Sequence, residues 1–158
     1  MDQWANYFIA TAGAAAALTG LIFVSVSLNL KRILSVTHLP GRALGSLMLL
    51  TNILIISSFC LIPKQSLFFL GCEIIVAGIL TWFAVTSMNR IKNVEQPYKN
   101  YHFQNIFFTQ LAVIPFAVSG VFLLCGYDTG LYWLIPGISF SFIKALSDSW
   151  VLLVEINR

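Results

Sequence analysis

Five apolar segments, each close to the length of a membrane-crossing helix, constrain this chain more than any other feature. A helix needs about 20 apolar residues to cross the hydrocarbon core of a bilayer. The segments run from about 4 to 30, 43 to 62, 67 to 88, 106 to 125 and 131 to 156. Charged residues make up only 9% of the 158 residues, too few to cover a soluble fold. The sequence therefore predicts an all-α fold, in which residues 1–158 form one polytopic membrane helix bundle with five transmembrane helices.

Basic residues predict how these helices are oriented, because Lys and Arg are enriched in cytoplasmic loops. The second and fourth connections contain only one basic residue, Lys64, and the fourth contains Asp128. The other basic residues follow the first and third segments or end the chain: Lys31, Arg32, Arg42, Arg90, Lys92, Lys99 and Arg158. We therefore expect an external N-terminus, a cytoplasmic C-terminus and a multi-pass protein of the inner (plasma) membrane. The start, MDQWANYF, lacks the basic region of a cleaved signal peptide, so the first helix is expected to be retained.

Two opposite charges lie in the middle of the fifth apolar segment. Lys144 and Asp148 are four residues apart, so they share one face of a helix. A charge at the centre of a membrane helix costs about 2.5–3.5 kcal/mol on insertion scales, and it usually has a partner. Two interpretations follow from this position. The pair neutralises itself and holds the helix against its neighbours, or it forms a cation or proton site, or a gate.

The other helices each offer a polar side chain at a comparable depth. With a rise of about 1.5 Å per residue, depths of roughly 15 to 20 Å below the outer boundary are shared by Lys144, Thr19, Asn52, Thr81 and Gln110. Asn52 and Gln110 carry the most weight, because an amide is costly to bury without partners. The layer either supplies hydrogen bonds between helices or solvates the charge pair along an ion path.

Glu73 is an isolated carboxyl group roughly 9 Å below the outer end of the third helix. Lys64, in the preceding connection, is the basic residue that could reach it. We expect either a buried neutral carboxyl group or an outer ion or proton site. Three cysteines, Cys60, Cys72 and Cys125, lie towards the same side. One disulfide could form there, but their spacing matches no metal site, and small apolar packing is the favoured interpretation.

The first helix contains a run of small residues, ATAGAAAALTG. Gly13, Ala17 and Gly20 share one face, and small residues let helix backbones approach closely. We expect this face to pack against another helix, either within one subunit or between the subunits of a homo-oligomer.

No sequence motif indicates an enzyme, and we expect no cofactor and no metal. HExxH, GxSxG, a phosphate-binding glycine loop and an EF-hand pattern are absent from the sequence, and no long basic run suggests nucleic acid. The favoured hypothesis is a homo-oligomeric ion channel or ion-coupled transporter whose ion or ligand path is near five residues: Lys144, Asp148, Asn52, Gln110 and Glu73. The alternative is a non-enzymatic structural or regulatory membrane subunit that binds another membrane protein. Membrane lipid is an expected partner in both cases.

The two ends of the chain resemble those of a loose group of small proteins. The opening WANYFIATAGAAAALTGLIFVSVSLNL and the closing SWVLLVEI look like the ends of small, uncharacterised bacterial polytopic membrane proteins. The resemblance covers the two terminal helices, less than half of the chain. It implies a bacterial inner-membrane location and supplies no activity and no site residue.

Overall fold

The structure, a computed structural model, describes residues 4–36, 39–88 and 99–156, except the side chains of residues 88, 99–105 and 155–156. The described residues form six α-helices, one 3₁₀ segment at Asp128–Trp133 and no strand. The helices are α1 (Ala5–Leu28), α2 (Leu30–Ser35), α3 (Leu39–Cys60), α4 (Leu67–Met88), α5 (Lys99–Leu124) and α6 (Leu134–Ile156). Five of them, all but α2, are long and apolar enough to cross a membrane, α6 together with its 3₁₀ segment. The prediction of an all-helical chain with five helices of spanning length is therefore confirmed for the described residues.

The first apolar segment ends in a short extra helix, α2, that the sequence analysis does not predict. Asn29 leaves the helical conformation, with φ −110° and ψ 18°. Its backbone N–H (3.3 Å) and its side-chain amide (3.0 Å) both donate to the carbonyl of Ser25. The basic residues Lys31 and Arg32 therefore lie in a helical turn rather than in a loop.

The two prolines of the later segments occupy different helical positions. Pro136 lies in the first turn of α6, where the N–H has no partner within the helix. Pro115 lies inside α5 and cannot donate to the carbonyl of Leu111. The neighbouring carbonyl of Ala112 accepts a hydrogen bond from the Ser141 hydroxyl of α6 (3.4 Å). This bond joins α5 and α6 next to the proline.

Helices α3 to α6 form a ring in which each helix contacts the next and α6 returns to α3. Helix α1 lies outside this ring, mainly against α3. Its buried residues, Phe8, Ala15 and Ile22, recur at every seventh position and form a single seam. In its spanning window 17% of the residues are buried, against 39–56% in the other four helices. Helix α1 therefore has a wide face that the described part of the chain does not cover.

Helices α4 and α5 meet closely at two glycines. A Cβ atom added to Gly71 would lie 2.9 Å from the backbone nitrogen of Leu124 and 3.0 Å from the carbonyl oxygen of Gly120. The two backbones thus approach each other directly, as small residues permit in apolar bundles. At its end, α5 stops at Gly126 (φ 82°), where the Tyr127 N–H donates to the carbonyl of Phe122 (3.0 Å). This is the helix termination that favours glycine.

Apart from Lys144 within α6, the described basic residues lie at the two ends of the bundle. Lys31 and Arg32 in α2 and Arg42 in the first turn of α3 are at one end, and Lys64 is in the α3–α4 connection at the other. The further residues used for the predicted orientation lie outside the described residues, Lys99 by its side chain alone: Arg90, Lys92, Lys99 and Arg158. The orientation of the bundle in a membrane stays a prediction.

Candidate functional site

Lys144 and Asp148 bind each other on the buried face of α6. The Lys144 ammonium group donates to the Asp148 carboxylate oxygen Oδ2. Each residue is 6% exposed. The helical spacing of four residues brings the two charges together without help from a second helix. It is the one ion pair among the described side chains.

Buried hydroxyl residues lie near the level of this pair on all three helices that meet there: Ser46, Thr109 and Ser141. Ser141 is one turn from Lys144 and donates to a backbone carbonyl of α5 (3.4 Å). Ser46 lies one turn beyond Ala43, which packs against Leu152 of α6. Hydrogen bonds of this kind hold helices together in an apolar environment. The ion pair therefore lies among contacts between α3, α5 and α6.

Arg42 brings a second positive charge to this region. It is half-buried in the first turn of α3 and acts electrostatically on Lys144. Its guanidinium forms no ion pair with any carboxylate of the described side chains. Two basic groups are therefore near one acidic group, Asp148, which is already bonded to Lys144.

The other predicted site residues do not join this pair. The Gln110 side-chain oxygen accepts a hydrogen bond from the indole Nε1 of Trp82 in α4 (2.9 Å). The Thr19 hydroxyl donates to the carbonyl of Ala15 in its own helix (2.7 Å). Asn52, Glu73 and Thr81 line a separate groove between α3 and α4. The layer of polar residues predicted from depth is thus divided among different helix faces.

The groove between α3 and α4 has a volume of about 760 Å³. Its walls are mostly apolar, and they include Met48, Ile55, Phe59, Val76, Leu80 and Phe83. Asn52 is 2% exposed, and neither its amide nitrogen nor its amide oxygen has a hydrogen-bond partner in the described structure. Glu73 accepts a hydrogen bond from the Gln65 side-chain nitrogen (2.5 Å). Lys64, the residue expected to reach Glu73, forms no ion pair with it.

The small-residue face of α1 points away from the rest of the described chain. Gly13, Ala17 and Gly20 are all exposed. A Cβ added to either glycine would have no described atom within 4 Å. Among the described residues this face packs against no other helix, so a contact between subunits stays a prediction, and the close helix crossing is at Gly71 and Gly120. In the sequence, the small-residue face of α1 and the region of the Gly71–Gly120 crossing look alike, because each has small residues in an apolar helix.

The three cysteines occupy different environments. All are free thiols: Cys60 is buried, Cys72 is half-buried and lines the groove, and Cys125 is exposed. The described residues contain no group of three or more His, Cys, Asp or Glu that could hold a metal ion.

The sequence analysis missed two polar partners, Gln65 for Glu73 and Trp82 for Gln110. The second pair had a usable signal, because an indole N–H in an apolar helix needs a hydrogen-bond acceptor. Gln65 lies in the α3–α4 connection and does not line the groove, so only the turn brings it to Glu73.

No protein-family model, curated protein or solved structure matches the chain. The fold itself defines an all-helical class with five helices of membrane-spanning length in the described residues.

Proposed function

We propose that this chain is a multi-pass membrane protein with a non-enzymatic, structural or regulatory role, and that it acts by binding a second transmembrane segment. The observation that carries this proposal is the closed ion pair of Lys144 and Asp148. Neither residue lines the groove between α3 and α4 or a second groove that residues of α1, α2 and α6 form. Two buried charges that satisfy each other hold a bundle together without needing an ion path.

The pair is expected to fix the position of α6 along its neighbours. Sliding α6 by one turn, about 5.4 Å, would move Lys144 and Asp148 away from the hydroxyl residues and towards apolar side chains of α3. Leu50 and Ile53 are fully buried on that helix. A charge placed against them would lose its polar surroundings. Register selection is an established use of buried polar groups in helical bundles.

The outward face of α1 is the proposed contact for the second segment. Helix α1 is the least buried of the five long helices, and Gly13, Ala17 and Gly20 would let a facing helix approach closely. A second copy of this chain is the partner that we propose, and another membrane protein is the alternative. An external N-terminus and a cytoplasmic C-terminus in a bacterial inner membrane complete the proposal.

Charge exchange tests the role of the pair. Lys144→Asp and Asp148→Lys as single changes should each reduce the yield of folded, monodisperse protein. The double exchange should restore most of that yield, because it keeps an oppositely charged pair at the same spacing. A double variant as defective as the single variants would overturn the proposed structural role.

Cysteine cross-linking tests the partner, in a background where Cys60, Cys72 and Cys125 are replaced by alanine. Ala17→Cys on the outward face should give a disulfide-linked dimer in membranes under mild oxidation. Ala15→Cys is the matched control, because Ala15 is fully buried against α3. A cross-link from Ala17→Cys to a different membrane protein would support the alternative partner. Failure of both products would overturn the proposed contact.

Ion transport is the second candidate function, and the polar surroundings of the ion pair favour it. Buried hydroxyl residues on three helices and the nearby Arg42 supply groups that could accompany an ion. Purified protein in liposomes should then move ions down a salt or pH gradient. Asp148→Asn should change this flux while the protein stays folded. Absence of flux across a panel of salts and pH gradients would exclude this candidate.

A further inference from the structure

Asn52 has a buried side-chain amide whose hydrogen-bonding capacity is unused by the described residues. It is 2% exposed, lines the groove between α3 and α4, and has no partner for either amide atom among the described residues. Leaving such a group unpaired in the folded state is unfavourable, because it loses its hydrogen bonds to water and gains none in the protein. A ligand that supplies hydrogen-bonding groups inside the groove would recover that cost. Asn52 therefore points to an occupant of the groove.

The same groove contains two hydrogen-bond acceptors. Glu73 lines it and carries a carboxyl group, which also accepts a hydrogen bond from the Gln65 side-chain nitrogen. The Asn52 oxygen, deeper along the groove, is the second acceptor. These groups match a ligand that carries positive charge and N–H donors.

The remaining surface of the groove selects an apolar ligand of moderate size. Its volume of about 760 Å³ lies in the range typical of small-molecule sites. The side chains of Val76, Leu80 and Phe83 form part of its lining and are exposed, so the groove is open to its surroundings. A ligand dissolved in a bilayer could enter from that side.

The charged side chain that lines the groove is unsuited to a phospholipid head group. None of the lining residues is Lys, Arg or His, so nothing in the groove would bind a phosphate. A phosphate beside the Glu73 carboxyl group would instead meet a group of the same charge sign. The ligand class that remains is a cation without phosphate.

We infer that the groove between α3 and α4 binds a lipophilic organic cation, with its charge against Glu73 and an N–H group directed to the unpaired oxygen of Asn52. This inference does not depend on the proposed function, because it uses neither the ion pair nor α1. It gives the chain a ligand site of its own.

Equilibrium binding to the purified protein in nanodiscs tests the charge. Tetraphenylphosphonium is the probe, and tetraphenylborate is its anionic control of the same shape. The phosphonium should bind saturably, with one site per chain. Glu73→Gln should weaken it by about tenfold or more, because it removes the negative charge that faces the cation in a partly buried site. Asp128→Asn is the matched control, since Asp128 is exposed and does not line the groove. Equal binding of the borate, or an unchanged affinity in Glu73→Gln, would overturn the inference.

A second pair of probes tests the hydrogen bond to Asn52. Triphenylmethylammonium has N–H donors and an apolar body similar to that of tetraphenylphosphonium, which has none. Asn52→Leu should weaken the ammonium by about tenfold, as expected for a hydrogen bond to a charged group, and leave the phosphonium unchanged. This variant removes an unpaired buried amide, so its fold should be preserved. An equal loss for both ligands would overturn the role of Asn52.

The wild-type protein provides a test that does not depend on any variant. Cys72 lines the groove and Cys125 is exposed outside it. Tetraphenylphosphonium should slow alkylation of Cys72 by a membrane-permeant reagent and leave Cys125 unaffected, as mass spectrometry of the modified peptides would show. Unchanged alkylation of Cys72 at a saturating concentration would overturn the inference.

Discussion

Replacing Gly71 by alanine is expected to force α4 and α5 apart. The added Cβ would lie 2.9 Å from the backbone nitrogen of Leu124 and 3.0 Å from the carbonyl oxygen of Gly120. Both atoms belong to the backbone of α5, so no side-chain rotation can relieve the contact. The helices must separate or tilt, and the loss of close contact spreads to their neighbours, because packed interiors have few voids to absorb the change.

Gly78→Ala is the matched control, because Gly78 lies on the same helix and also faces α5. Its added Cβ would lie 3.5 Å from the Cβ of Phe116, an ordinary contact. Each substitution gains about 0.8–1.0 kcal/mol from the higher helix propensity of alanine. Only Gly71→Ala also has the cost of overpacking, about 1–3 kcal/mol. The free energy of unfolding of Gly71→Ala should therefore be lower than that of Gly78→Ala by about 1–3 kcal/mol.

Unfolding by sodium dodecyl sulfate in mixed micelles measures this difference, with the helical circular dichroism signal as the readout. Both variants should unfold with the cooperativity of the wild-type protein, and the midpoint of Gly71→Ala should fall at a lower detergent fraction. Equal midpoints for Gly71→Ala and Gly78→Ala would refute the reasoning. The backbones would then be farther apart at Gly71 than the structure places them.

Three further predictions concern other contacts. Asp148→Leu should lower the free energy of unfolding by about 3 kcal/mol or more, because it leaves Lys144 buried without its partner, whereas adding Lys144→Met should recover most of the loss. The same unfolding titration measures this, and equal losses in the single and double variants would contradict it. Thr11→Val should cost about 0.6 kcal/mol, because it removes the hydrogen bond between the Thr11 and Ser57 hydroxyls (3.0 Å). In a double-mutant cycle Ser57→Ala should then cost little more, and fully additive losses would count against the bond. Gly126→Ala should cost about 1 kcal/mol because of the left-handed backbone, whose φ is 82°. The unfolding midpoint of Gly126→Asn should lie between those of Gly126→Ala and the wild type, and three identical midpoints would rule out this source of strain.

The long helices could be predicted from the sequence because their cause is local. In an apolar environment each backbone group needs a hydrogen-bond partner within its own segment. Apolar runs of spanning length with few charges meet this need by forming helices. Helix α4 begins at Leu67 and ends at Met88, the predicted limits. Boundaries differ where one side chain decides them, as at Asn29, whose side-chain bond divides the first segment.

The arrangement of these helices could not be predicted in the same way. In a soluble helix, the apolar stripe indicates the buried face. Here the apolar residues surround most of each helix, so the sequence does not indicate which side meets a neighbour. Gly13 on α1 and Gly71 on α4 both lie in apolar helices, where a glycine permits a close crossing. Only the tertiary arrangement separates them, because Gly71 meets the backbone of α5 and Gly13 meets no described atom.

Residue counting gives the position of each polar residue along its helix. It does not give the side of the helix that the residue faces. The i to i+4 spacing of Lys144 and Asp148 fixes their contact within one helix, and the structure has it. Gln110 and Asn52 lie at similar depths but turn to different neighbours: one binds Trp82, and the other faces the α3–α4 groove. Which polar residues pair between helices therefore could not be predicted from the sequence and follows from the tertiary structure.

The buried polar groups of the described residues are of two kinds: those that have a polar partner and those that have none. The presence of a partner predicts how each group responds to mutation. Lys144 and Asp148 satisfy each other, so a change to either should first be seen as a loss of folded protein. Asn52 has no hydrogen-bond partner among the described residues, so its removal should cost the fold nothing and should even stabilise it. A protein under selection for stability alone would not keep such an amide in a groove beside Glu73. We therefore expect variants of the ion pair to fail in folding, and variants of the groove to fold normally and fail in ligand binding.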